Sequence, residues 1–260
     1  MSHLFCKIIC TSILFVGGAS ISQNITSEVY LDDIPKQFKD QAALFPKFCV
    51  IKGSDSLRQI GLTFDDGPSH FSNKIIDILG KYHAKATFFW LGSNLSEHPE
   101  VVKRAIEEGH TMANHSWDHA NLGNHSIKRF WKEQVKKTNT AFRKLTDHRV
   151  QYFRPPFGNI SDRQIAFLKN KGIKTILWTF SSNDWDRTKN SCDQVTRTVM
   201  SKLQPGAIIL FHDFDAEDNK DAGSNRNGML MALDKILEEG TLLGFEFVSM
   251  EKLLSHDPNK

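Results

Sequence analysis

The sequence predicts an α/β fold, a parallel sheet with helices packed outside it. Short apolar runs near residues 59–64, 86–91, 110–114, 150–154, 173–180, 207–212 and 245–249 alternate with stretches of helical periodicity. Such alternation means strands joined by helical crossovers. Several of the runs end in a residue able to do chemistry, and parallel α/β folds gather catalytic groups at strand C-termini. The 260 residues, 40% of them hydrophobic, can bury one full core and are too apolar for a disordered chain. Periodicity alone does not choose between an open sheet and a barrel.

From the N-terminus, a basic Lys7 precedes the apolar Ile8–Val16 and the small residues Gly17–Ser20. The run is too short to span a bilayer, so residues 1–22 read as a secretory signal peptide. The expectation is a secreted protein, extracellular or in the cell wall, with no membrane span after the signal is removed. Residues 23–57 are then an N-terminal extension packed on the domain, which occupies residues 58–252. Cys6 and Cys10 leave with the signal, and Cys49 and Cys192 remain as a weak disulfide pairing. Asn24-Ile25-Thr26 and Asn94-Leu95-Ser96 are glycosylation sequons, meaningful only in a host that modifies them.

In the domain, Phe71, Ile75, Ile78, Leu79 and Tyr82 share one helical face, and Val101, Val102, Ala105 and Ile106 share another that stops at Gly109. Ile127, Trp131, Val135, Phe142 and Leu145 mark a longer helix. Ser161–Gln164 and Ser191–Gln194 have the spacing of capping boxes. The net charge of +3, with basic residues taken as dispersed, gives no reason to expect a nucleic-acid partner. Oligomeric state is not readable. Asp213–Asn219 imitates a calcium loop but lacks the glycine and the terminal glutamate such a loop needs.

The most informative segment is Leu62-Thr63-Phe64-Asp65-Asp66-Gly67-Pro68, a buried-looking strand that delivers two carboxylates to a turn. Adjacent side chains on an extended backbone point to opposite sides, which suits one acid to a metal and the other to a proton. About fifty residues on, His115 and His119 stand four apart. Two imidazoles and one carboxylate with positions left for water make a catalytic metal set rather than a closed structural one. Arg154 precedes two prolines that fix the backbone, Asp184-Trp185 follows a strand-like run, and His212 ends another. Trp90, Trp117 and Trp131 suit either sugar stacking or the core; only Trp117, inside the histidine motif, is expected to touch substrate.

Taken in order, Thr63–Pro68, His115–His119, Arg154–Gly158, Ser181–Trp185 and Leu210–His212 resemble the five motifs of the polysaccharide deacetylases. These are proteins with a NodB homology domain, carbohydrate esterase family 4, which includes the chitin deacetylases. The resemblance implies an irregular (β/α) barrel of seven strands. It implies Asp66, His115 and His119 as ligands of a divalent metal, zinc with cobalt as the alternative. It also implies Asp65 as general base, Arg154 holding that base, the backbone N–H of Phe157 as oxyanion donor and His212 as the acid for the leaving amine. Trp185, Leu210, Pro155 and Trp117 would contact the acetylated sugar of chitin or a chitooligosaccharide. One position departs from the pattern: the fourth motif opens with Ser181 where the family carries aspartate, an anion that would stabilise protonated His212. That departure keeps open an alternative, a weakened or inactive glycan-binding protein of the cell surface.

Overall fold

The computed structural model describes residues 34–214 and 226–255. The signal segment, Asn24 and most of the calcium-like loop lie outside the described residues. The strands are β1 (Cys49–Val50), β2 (Gln59–Asp65), β3 (Thr87–Trp90), β4 (Thr111–Asn114), β5 (Tyr152–Phe153), β6 (Lys174–Ile176), β7 (Phe180–Ser181), β8 (Ile208–His212) and β9 (Glu246–Val248). The helices are α1 (Lys36–Leu44), α2 (Ser72–Lys81), α3 (Pro99–Glu107), α4 (Ile127–Arg129), α5 (Lys136–Thr146), α6 (Asp162–Asn170), α7 (Cys192–Lys202), α8 (Asn227–Leu242) and α9 (Met250–Leu253).

All strand pairs are parallel, in the order β1-β6-β5-β4-β3-β2-β8-β7, with β9 added to the start of β2. The sheet thus has nine strands rather than seven. All seven expected runs are present; the run at 173–180 is broken in two and β1 is added. The break matters. β6 pairs with β5 while β7 pairs with β8, so the single segment Lys174–Ser181 bridges the two sides of the curled sheet. β1 joins beside β6, so residues ahead of the expected boundary at 58 contribute a strand as well as α1.

β2 is buried along its whole length, as a central parallel strand must be. Phe64 stacks on Phe88 of β3 and Phe211 of β8, with ring centroids 5.4 and 5.5 Å apart. The main core lies between this face of the sheet and α2, α3, α7 and α8, through residues such as Ile75, Val102, Val199 and Leu233. The long helix is interrupted: Phe130–Val135 is π-helical between α4 and α5. The capping box of α6 forms, with Ser161 N–H donating to Gln164 Oε1 at 2.9 Å, and Ser191 caps α7 by accepting from Gln194 N–H. Cys49 and Cys192 are free thiols, so the weak disulfide expectation fails. Cys49 is buried against the α1 and α6 side of the sheet, and Cys192 sits at the start of α7.

Gly206 marks the seam where β1's exit meets β8's entry. It has φ of +77°, and a Cβ there would lie 2.6 Å from the Gly53 carbonyl oxygen. Gly206→Ala should therefore cost about 2 kcal/mol or more, left-handed strain and backbone clash together. Gly80→Ala, on the exposed side of α2 with open space around it, should be neutral or stabilising by up to about 1 kcal/mol. Urea unfolding of the two variants checks the contrast.

Candidate metal centre and catalytic site

The in-register pairing of β2 with β8 sets Asp65 beside His212, and β3, β4 and β5 fan out alongside with their C-terminal ends on the same rim. Asp66, His115 and His119 follow those ends and converge. Their ligating atoms all lie within 4.8 Å of one another. Asp66 Oδ1 is 3.4 Å from His115 Nε2 and 3.3 Å from His119 Nε2. The turns that aim them are conformationally costly: Asp66, Ser116, His119 and Phe157 all have positive φ, as does Asn183 in the fourth motif. Positive φ at Ser116 and His119 shows the histidine pair presented by a tight loop, not a helix face.

Three observations test whether this set fits a metal. Asp66 Oδ1 is buried and has no hydrogen-bond partner among the described residues, an expense that an ion would remove. His115 Nδ1 lies 2.9 Å from the Arg154 carbonyl oxygen, a contact that fixes the ring as donor there and leaves the Nε2 lone pair facing Asp66. Two imidazoles and a carboxylate are the donor types of an open catalytic site. The residues fit. Burial would raise the Asp66 carboxyl, but the three imidazoles facing it, those of His115, His212 and His119, more than reverse that and hold it well below the usual range. His119 is pushed down to about 4, chiefly by burial, so its ring is neutral and able to ligate at pH 7.

Asp65 takes the opposite side. Its Oδ1 accepts from Arg154 Nη1 at 2.7 Å, and its Oδ2 lies 3.6 Å from His115 Nε2. Arg154 is fully buried and every donor group it aims is met: Nη1 also reaches Thr63 Oγ1 at 2.8 Å, Nε the Ile176 carbonyl at 3.1 Å, and Nη2 the Leu177 carbonyl at 3.0 Å. Its guanidinium stacks 4.1 Å over the Phe89 ring. So buried, Arg154 pairs with Asp65 inside the barrel, not at its surface.

His212 corrects the expectation built on Ser181. Its Nδ1 lies 2.9 Å from Asp184 Oδ1, and its backbone N–H donates to Asp184 Oδ2 at 2.9 Å. Asp184 is buried, accepts from Ser182 Oγ at 2.8 Å, and has Arg226 Nη1 3.4 Å from Oδ2. Ser181 instead accepts from Asn183 N–H and shapes the turn. The anion missing at Ser181 is supplied three residues later, at the other end of the same motif. Burial opposes the imidazolium, but Asp184, with Asp66 and Asp65 behind it, pushes His212 up to about 9.

The remaining expected residues divide. Trp185 and Phe157 are half exposed, at 53% and 52%, and the Phe157 ring meets His119 edge-on at 4.6 Å. Leu210 and Pro155 are buried, and Trp117 lies beneath Lys137, whose Nζ is 3.7 Å from the ring centroid. Trp90 is a core residue whose Nε1–H donates to Asp213 Oδ2 at 2.8 Å. Asp213 is buried as well, held by Ser72 Oγ at 2.5 Å, and is pushed up to about 7 chiefly by burial; it is no calcium ligand. Sequence reasoning missed Thr63, Arg226 and Asn94. Asn94, expected only as a sequon, donates from Nδ2 to the Asp66 carbonyl at 3.1 Å and braces the turn that carries the acid. The Asp66 turn contains a cis Gly67–Pro68 bond.

Metal-free protein should show His212 titrating near 9 by NMR, and Asp184→Asn should move it down by more than a unit. Because the folded value is raised, His212's contribution to stability is complete below about 6.5 and is lost as pH rises through about 9. An unshifted His212 in Asp184→Asn would remove Asp184 from this role. Separately, Asp66→Ala or His119→Ala should fold normally yet lose a bound divalent metal by elemental analysis.

Comparison with known proteins agrees with this geometry. A family model described as polysaccharide deacetylase matches residues 52–176. A peptidoglycan-N-acetylglucosamine deacetylase of Bacillus cereus is 33% identical over 205 residues, covering 78% of this chain and 71% of that protein. A chitooligosaccharide deacetylase of Sinorhizobium fredii is 33% identical, covering 68% and 82%. Among solved structures, a peptidoglycan N-acetylglucosamine deacetylase bound to 4-naphthalen-1-yl-N-oxidanyl-benzamide superposes with TM-score 0.72 at 31% identity, covering 79% of this chain and 92% of that one. A pseudoenzyme of carbohydrate esterase family 4 from Bacillus anthracis gives 0.69 at 26%, covering 78% and 68%. With the five motifs assembled at one mouth of a parallel barrel, the chain belongs to the polysaccharide deacetylase family, carbohydrate esterase family 4.

Proposed function

We propose that this protein is a secreted, metal-dependent deacetylase that hydrolyses the N-acetyl groups of N-acetylglucosamine units in a glycan polymer and releases acetate. The carrying observation is the juxtaposition of the Asp66, His115 and His119 set with two separately buttressed proton-transfer groups, Asp65 on Arg154 and His212 on Asp184. A divalent metal held there, zinc by donor type with cobalt as the alternative, would supply Lewis acidity to the acetamide carbonyl and to the attacking water. Asp65 takes the proton of that water, with Arg154 fixing the carboxylate so that Oδ2 faces the site. The backbone N–H of Phe157, on a left-handed residue beside His119, is the donor for the developing oxyanion. His212, protonated because Asp184 stands behind it, gives its proton to the departing amine. Leu210, Pro155, Trp117 and the exposed ring of Trp185 bound the sugar and its acetyl methyl.

The inactive alternative rested on a missing anion, and Asp184 removes that ground. Asp65→Asn should keep its metal and lose about 100-fold or more in acetate release from N-acetylglucosamine oligomers. Ser181→Asp should bring no gain, since His212 already has its carboxylate. A metal-loaded wild type that releases no acetate from chitooligosaccharides or from peptidoglycan would overturn the reading.

A further inference from the structure

The charge of this chain is not dispersed. Residues 127–149 hold eight Lys and Arg against two acids, although the whole chain is only +3. Three of these cations, Lys136 and Arg143 of α5 and Arg149 of the loop after it, line a cavity of about 320 Å³ together with Trp131, His148 and Lys171. Among the described residues, none of these four Lys and Arg side chains makes an ion pair. By contrast Lys36, Lys81 and Lys252 elsewhere each hold a carboxylate. Lys171 lies 5.6 Å over the Trp131 ring, so the cavity combines a partly buried aromatic wall with a cationic rim. An aromatic face suits a sugar ring, and unpaired cations suit carboxylate or phosphate groups.

The cavity is not the catalytic mouth. Val150, Lys171 and Ile173 in its wall precede β5 and β6, at the ends of those strands away from the candidate site, and none of Asp65, Asp66, His115, His119 and His212 lines it. α5 connects the two places: Lys137 covers Trp117 of the histidine motif, and Arg143 lies about 9 Å further along the helix axis. We infer that this groove is a second binding site for an acidic glycan, one bearing carboxylate or phosphate groups, and that it anchors a polymer whose neighbouring units reach the catalytic mouth. The inference rests on the proposed deacetylase reading for its purpose and on the groove alone for its chemistry. Remote binding of this kind tightens association with the polymer and leaves turnover of short oligomers unchanged.

The test uses affinity electrophoresis of the full chain in gels containing carboxymethyl-chitin or neutral glycol-chitin. Wild type should bind the acidic polymer at least about tenfold more tightly, a difference of about 1.4 kcal/mol. Arg143→Gln/Arg149→Gln/Lys171→Gln should abolish that preference, with kcat on chitotetraose unchanged. Arg143→Lys/Arg149→Lys/Lys171→Arg should retain it. Lys36→Gln/Lys81→Gln/Lys252→Gln, which removes the same charge elsewhere, should also retain it. Competition by polygalacturonate and by polyphosphate tells carboxylate from phosphate as the preferred group. Equal losses in the two glutamine triples, or no preference in wild type, would overturn the proposal, as would tighter binding to duplex DNA than to carboxymethyl-chitin. Preference for the acidic polymer without chitotetraose hydrolysis would support the groove and count against the catalytic reading instead.

Discussion

The Asp65 and His115 side of the candidate site depends on the buried guanidinium of Arg154. Its Nη1 clamps Asp65 and Thr63 of β2, while Nε and Nη2 take the carbonyls of Ile176 and Leu177 just where β6 gives out. Its own carbonyl orients His115, and its own N–H pairs with Asn114 of β4. One residue thus satisfies carbonyls that a broken strand would leave unpaired, fixes Asp65, and sets the tautomer of His115. A buried cation is tolerated only when fully paired, and removing either member of such a pair typically costs about 3–5 kcal/mol. The barrel's irregularity and its chemistry therefore share a cause: the strand from Lys174 to Ser181 can cross from β5 to β8 because Arg154 fills the gap.

The two proton-handling groups are separated by construction. Asp65 is paired with a cation and His212 with an anion, side by side within one register pair. For the proposed reaction, a base held by a guanidinium and an acid held by a carboxylate would stand in place without a change of conformation. Arg226, entering from the start of α8, completes the carboxylate behind His212.

Much of this was legible in the chain because the signals were strong. β2 carries an unbroken buried run ending in Asp-Asp-Gly-Pro, and the Asp, His and Arg motifs sit at strand ends where side-chain chemistry has few bland uses. What failed was non-local. Two-residue β1 has no periodicity to detect, and the break at Leu177–Thr179 comes from Arg154, 23 residues away from Leu177 in sequence. Ser181 and Asp184 lie in one motif, and only the turn at Asn183, with φ of +61°, decides which of them faces His212. Arg226 stands alone after a polar stretch, without a pattern to mark it. The basic groove is masked because its cations fall in two segments, residues 136–149 and Lys171, and net charge averages them against acids elsewhere.

Asn94 carries a consequence for how the protein can be made. An oligosaccharyltransferase meets Asn-Leu-Ser on the unfolded chain and is indifferent to what the side chain does later. In the folded molecule Asn94 is partly buried and its Nδ2 donates to the Asp66 carbonyl. A sugar attached to Nδ2 replaces one of its two hydrogens and crowds the turn that carries Asp66. Passage through a glycosylating secretory pathway and synthesis in a host without N-glycosylation are therefore not interchangeable routes to this protein, and Asn94 is where they part.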